Sequence, residues 1–376
     1  MKNGLATRSH LKKRHSALAG VATLATLGLV LIAGCSASDG GKAEAGDKAI
    51  CGGATDSGGE QLTVSDFGGA WADNWKKFVV KPFEEKYNAK LSSVSALTGD
   101  VTAKVRAERN RPNLDVIVAG DTGAALLAEE KLLAPLDPKM VPNLDRLYPL
   151  ARRQDNRYAD FLFASVVLAY NTQKVTSPPQ TFSDLADPQY KGKVMIPDIG
   201  ASVSGAVFLV QEAKANGGGE SNIDPGFAAI SKLKPNIQAY WTSEAQVINA
   251  LDSGQVSVAV WQSDRAAVQM KAGAPVGVVF PKSGAIYGNG IGIVEGTQHP
   301  CLAAKYVDFA LSKEVQSKFH AATVLAPSNM DATLPEDVKK FVPSPELIQK
   351  AGAMDWTTIA KNLAEWTDRW NREVTS

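Results

Sequence analysis

From Leu62 onward, short apolar strands alternate with amphipathic helical stretches, and this alternation limits the chain to a layered α/β fold. Strands are expected at Leu62–Ser65, Leu91–Val94, Leu114–Val118, Lys193–Ile196, Gln255–Trp261 and Val276–Phe280. Helices are expected at Trp71–Tyr87, Gly99–Glu108, from Asp121 through Leu132, to about Lys214, and at Ser263–Lys271, Leu302–Leu311, Lys313–Ala321 and Ile359–Arg372. Thr242-Ser243 reads as the cap of a helix over Glu244–Leu251 that Gly254 stops. Pro82 interrupts the first helix and is expected to kink it. The apolar runs Ser165–Tyr170 and Tyr287–Val294 read as crossings between two lobes, because the folded part is too long for one core.

The first 35 residues set the compartment. Arg8, Lys12, Lys13 and Arg14 precede an uncharged apolar run from Ala17 to Ala33, the pattern of an export signal rather than a membrane span. The run ends in Leu31-Ile32-Ala33-Gly34-Cys35, which resembles the bacterial lipobox. A lipid on Cys35 would hold the protein at the outer face of the cell membrane without a spanning helix. The Gly-, Ala-, Ser- and Asp-rich segment 36–61 cannot bury a core and reads as a flexible stalk.

With Cys35 acylated, Cys51 and Cys301 remain, an even pair compatible with one disulfide in an exported protein. Removing the basic signal leaves 35 Lys and Arg against 39 Asp and Glu, which gives no electrostatic basis for nucleic-acid binding.

Several segments carry a family resemblance. Phe67-Gly68-Gly69-Ala70-Trp71 with Pro82-Phe83, Leu114–Val118, and Tyr190–Val194 with Pro197-Asp198 come first. Gly254–Val256 with Trp261, Gly273–Val276, Pro281–Ala285, and Tyr306–Phe309 with Gln316 and Pro327 follow in order. Together they resemble the extracellular solute-binding proteins of ABC importers, in the branch that includes polyamine-binding proteins. The resemblance implies a two-lobed, type II periplasmic-binding-protein-like α/β fold with the ligand in the cleft between lobes. Its partners would be a small solute, the importer's membrane subunits and, through the lipid, the membrane; no cofactor is implied. The implied organisation is a signal peptide over 1–35, a stalk over 36–61, lobe 1 over 62–166 and 287–345, lobe 2 over 167–286, and a C-terminal helical segment over 346–376.

Candidate ligand-binding residues lie where strands end. Phe67 and Trp71 flank a glycine pair that lets backbone approach a ligand. The resemblance implies ligand-stacking aromatics at Trp241 and Trp261, with core packing as the alternative, and Tyr287 lies near the return crossing. Polyamine binders place carboxylates in this cleft. Asp198 could supply one, but the other two places fall on Ala201-Ser202-Val203 and on Asn289, which are neutral. Asp66, Glu244 and Asp264 could compensate, while Arg265 could instead grip a carboxylate or phosphonate. The aromatic positions tilt the expectation toward a polyamine or related amine, with a small anion as the alternative.

Enzyme and metal readings have little to build on. His10 and His15 fall in the signal, and His299 and His320 lack metal-ligand spacing. The chain has no adjacent Tyr-Tyr pair, no GxSxG in Gly200–Gly205, no P-loop and no GxGxxG. A surface scaffold lipoprotein is the remaining non-transport alternative.

Overall fold

The computed structural model describes residues 61–153 and 156–376. The signal, Cys35, Cys51 and all of the stalk but Gln61 lie outside the described residues. In lobe 1, β1 (Gln61–Asp66) lies between β2 (Lys90–Ser95) and β3 (Val116–Gly120), parallel to both. The first helix forms in pieces: α1 (Gly69–Trp75), a π-helical turn at Lys76–Val80, and α2 (Lys81–Tyr87). The expected kink takes this form because Pro82 has no N–H to donate, and α2 restarts with that proline in its first turn. Helices α3 (Thr98–Ala107) and α4 (Asp121–Glu129) follow β2 and β3 directly. The short β4 (Leu133–Ala134) pairs antiparallel with Ile293 and Val294.

The strand β5 (Ala159–Asn171) belongs to both lobes. Residues up to Ser165 pair with β10 (Ile286–Val294), and Val166–Asn171 pair with lobe 2 strands. β5 is buried on both faces, which matches its largely apolar sequence, with Asp160, Ser165 and Asn171 as buried polar exceptions. Lobe 2 comprises β6 (Val194–Pro197), α5 (Val203–Ala215), α6 (Asp224–Leu233), β7 (Ile237–Trp241), α7 (Glu244–Asp252), β8 (Val258–Gln262), α8 (Ser263–Lys271) and β9 (Val276–Val279). Here β6 runs parallel to both β7 and β8. Ser243 and Gln246 form the capping box of α7. Strand β10 then returns the chain to lobe 1, antiparallel to β3 and β5.

The chain continues with α9 (Pro300–Ala310), α10 (Lys313–Thr323), β11 (Ala326–Pro327), α11 (Glu336–Lys339), α12 (Pro345–Lys350) and α13 (Trp356–Glu373). Trp71, Trp75, Phe161 and Phe319 form an aromatic core beneath lobe 1, with Trp71 stacked on Trp75 at 4.8 Å. His320 belongs to this core: its Nε2 lies 2.9 Å from the Phe161 carbonyl, and burial pushes its pKa down to about 3. Cys301 is buried on α9 and disulfide-bonded, with a partner outside the described residues.

Candidate functional site

The carboxyl ends of the parallel strands in both lobes face one cavity of about 780 Å³. This is the place where open α/β sheets bind ligands. Lobe 1 contributes Phe67, Leu97-Thr98-Gly99 and Gly120–Gly123; lobe 2 contributes Ile199–Val203 and Gln262. The crossing strand β10 supplies Tyr287, Gly288 and Asn289.

Local chemistry fixes these loops. Asp66 Oδ1 accepts from the Gly68 N–H at 2.8 Å and from Ser95 Oγ at 2.6 Å, which holds Gly68 at φ 74°. Asp66 therefore ties its own turn and does not line the cavity. Thr98 Oγ1 accepts from the Gly120 N–H at 2.9 Å and joins the starts of α3 and α4. The two helices meet so closely that a Cβ on Gly123 would lie 2.5 Å from Thr98 Cγ2.

The cavity gathers several helix N-termini. The helices α3, α4 and α5 all begin at it. Leu97 and Gly120, the N-cap residues of α3 and α4, make no side-chain cap hydrogen bond. The backbone N–H groups that a Ser, Thr or Asp cap would ordinarily occupy thus have no side-chain cap, at the positive end of each helix dipole. Arg106 also lines the cavity, and its guanidinium pairs with Glu130 at 2.5 Å. Among the described lining residues Asp121 is the one acid, and its carboxylate is engaged. Oδ1 accepts from Arg153 at 2.6 Å and Oδ2 from the Gly288 N–H at 2.7 Å.

The structure brings together only some of the residues singled out from sequence. Phe67, Tyr287 and Asn289 line the cavity, as do Ala201, Ser202 and Val203, the places where a polyamine binder would carry acids. Trp71 does not; it packs edge-on to Phe67 at 5.2 Å and lies in the aromatic core. Trp241 and Trp261 do not line the cavity either. Gln262 faces it, and strand alternation turns the preceding Trp261 to the opposite side of the sheet. There it is fully buried with Trp241, Met195, Val247 and Leu251. The Trp241 indole donates to the Val260 carbonyl at 2.9 Å, whereas the buried Trp261 indole nitrogen has no hydrogen-bond partner; both rings pack within the lobe 2 core.

Asp198 turns back on its own loop, accepting from the Gly200 N–H at 2.9 Å. Arg265 pairs with Glu244 at 2.8 Å, both half-exposed, and approaches the more deeply buried Asp264 at 3.6 Å, all outside the cavity lining. Burial raises the Asp264 carboxyl pKa, and burial together with the charge of Asp264 raises that of the Tyr287 phenol. Sequence reading missed Leu97, Thr98, Arg106 and Gln262. Leu97, Thr98 and Gln262 lie within a few residues of the end of a predicted strand, a positional signal, whereas Arg106 lies in the last turn of α3 and carries none. Among the described residues no cluster of His, Cys, Asp or Glu is arranged to hold a metal ion.

Comparison with known proteins agrees with this architecture. A Pseudomonas aeruginosa gamma-aminobutyric acid-binding protein is 25% identical over 333 residues, covering 83% of this chain and 91% of the relative. Spermidine/putrescine-binding periplasmic protein 1 of Haemophilus influenzae is 25% identical over 295 residues, covering 75% and 81%. A crystal structure of an ABC transporter from Clostridium perfringens superposes with a TM-score of 0.75 at 24% identity, covering 83% of this chain and 99% of that one. The last likeness speaks to the two-lobed fold. The pattern described as bacterial extracellular solute-binding protein matches residues 79–344, most of the described chain. The chain belongs to the bacterial extracellular solute-binding proteins, the solute-capturing components of ABC importers.

Proposed function

We propose that this protein captures a small solute carrying a carboxylate or phosphonate, with ω-amino acids as the leading class, and delivers it to an ABC importer. One observation carries the reading: three helix N-termini open on the cavity, two of them without side-chain caps, while its one lining acid is already paired. Free N–H groups and helix dipoles stabilise an anion and repel a polycation. The lean toward a polyamine drawn from sequence rests on Trp241, Trp261 and Asp198. The first two are core residues and the third is not among the cavity-lining side chains. The gamma-aminobutyric acid-binding relative favours a zwitterion over a simple anion. Gln262, Asn289 and Tyr287 offer neutral acceptors and an aromatic face to its ammonium end.

A thermal-shift screen followed by calorimetry tests this. The panel holds γ-aminobutyrate, succinate, an aminoalkylphosphonate, putrescine and spermidine. A ligand at 100 times its dissociation constant adds about 2.7 kcal/mol of apparent stability. The acid-bearing solutes should stabilise the protein, and Asn289→Asp should weaken succinate while sparing or strengthening the amino acids, whose ammonium end it would face. Stabilisation by putrescine or spermidine alone, strengthened in Asn289→Asp, overturns the reading.

Lipid anchoring at Cys35 is part of the same proposal, since a tethered receptor stays beside its importer. Fatty-acid labelling of wild type and Cys35→Ala tests it; equal label on both would sink it.

A further inference from the structure

We propose that the C-terminal helix α13 forms a third wall of the solute cleft and sets the length of solute the cleft accepts. The inference uses the cavity described above. Its ligand series rests on the proposed ω-amino acid class, whereas its labelling test does not.

The helix touches both lobes. At its N-terminal end Trp356 is buried and Lys361 pairs with Glu129 on α4 of lobe 1. At its C-terminal end Arg369 pairs with Asp224 on α6 of lobe 2 and lies 4.1 Å from the centre of the Phe227 ring. Trp366 and Trp370 are buried, and just beyond the helix the Val374 carbonyl accepts from the Tyr240 hydroxyl at 2.7 Å. Trp356, Ile359, Trp366 and Trp370 follow helical spacing and anchor one stripe.

A neighbouring stripe faces the cavity. Ala360 and Leu363, three residues apart, are half-buried and line it together with Ile199–Val203 of lobe 2 and Leu126 of lobe 1. Thr367, one turn further, lies against the lobe 2 loop: a Cβ on Gly200 would meet its Cγ2 at 3.2 Å. The polar groups that suit an acid lie at the starts of α3, α4 and α5, and α13 presents carbon to the same space. A solute held by its acid group would therefore meet Ala360 and Leu363 with its alkyl chain. A small residue at 360 leaves room, and the leucine limits it.

The test uses the mature full-length chain as wild type, Ala360→Leu and Leu363→Ala, titrated with β-alanine, γ-aminobutyrate, δ-aminovalerate and ε-aminocaproate. Ala360→Leu should lose the longest bound member first, by roughly tenfold or more, the discrimination a change of one methylene ordinarily carries. Leu363→Ala should shift the preference toward a longer member by a similar factor. Unchanged affinities and rank order in both variants would overturn the proposal.

If no member binds wild type, the ligand class fails and the wall is judged by labelling. Leu363→Cys should react with a small maleimide but far more slowly with one carried on a polyethylene glycol polymer. The exposed control Glu365→Cys should accept both. Equal reactivity of Leu363→Cys toward the two reagents would show that the side chain is open to bulk solvent and would refute the wall.

Discussion

Arg153 is the cation on which the floor of the cleft depends. Its guanidinium side chain is 12% exposed and bridges Asp121 and Asp160, whose side chains are 1% and 0% exposed. Asp121 in turn accepts from the Gly288 N–H of the crossing strand at 2.7 Å. Arg153→Met removes the cation and leaves two buried carboxylates beside each other. Breaking a buried pair by deleting one partner costs about 3–5 kcal/mol, because the remaining charge is uncompensated. The value should fall inside that range, since the Gly288 N–H still serves Asp121 while Asp160 also keeps an oxygen without a hydrogen-bond partner.

The pH dependence has a definite sign. Burial raises the Asp160 carboxyl pKa, and Arg153 opposes that rise. A carboxyl whose folded pKa is above its unfolded value binds more protons when folded. Its stability contribution is complete below the unfolded pKa and is lost as pH rises through the folded one. Without Arg153 the rise is larger, so the deficit of Arg153→Met should be greatest at neutral pH and shrink on acidification to about pH 5. Chemical denaturation of both proteins at the two pH values measures this. The double variant Arg153→Met/Asp160→Asn should recover part of the loss. A neutral-pH deficit below about 1 kcal/mol, or one that grows on acidification, would refute the reasoning.

Three further outcomes are expected. Trp241→Phe removes the bond to the Val260 carbonyl within the lobe 2 core and should cost about 1 kcal/mol in unfolding free energy; a large loss of solute affinity at unchanged stability would return Trp241 to the cleft. Glu212 is buried on α5, and desolvation raises its pKa from 4.5 to about 7. Wild-type stability should therefore fall by up to about 3 kcal/mol as pH rises from 4.5 to about 7, and Glu212→Gln should flatten that slope in a denaturation series. We propose Cys51 as the partner of Cys301, so thiol titration of the denatured, unreduced mature protein should find no free thiol, and two reactive thiols would exclude the bridge.

Much of the fold is legible in the sequence because it rests on local signals. The helix at Ser263–Lys271 has the residues predicted for it, and the cap at Thr242-Ser243 and the interruption at Pro82 act where those residue types act by themselves. The neutral residues at 201–203 and 289, read as gaps in a polyamine site, do line the cavity. Other features needed the tertiary structure. Helix α6 and strand β7 are absent from the elements expected from sequence, although Asp224-Pro225 opens α6 and Phe227, Ile230 and Leu233 keep helical spacing. The sequence therefore sets Trp241 beyond a loop, whereas it ends a strand.

The side of the sheet that Trp261 occupies was decided by pairing register. One residue of strand separates a ligand-facing side chain from a core-facing one, and composition is blind to that parity. Arg265 and Asp264 look like a ligand pair in sequence, but Glu244 on the preceding helix claims the guanidinium. The buried Arg153 bridge and the wall formed by α13 join residues far apart in the chain. From sequence alone came the alternation that makes an α/β chain and the strand-end loops that make a cleft. Which side chains enter that cleft, and the charge it presents, depended on long-range pairing that only the folded lobes bring about.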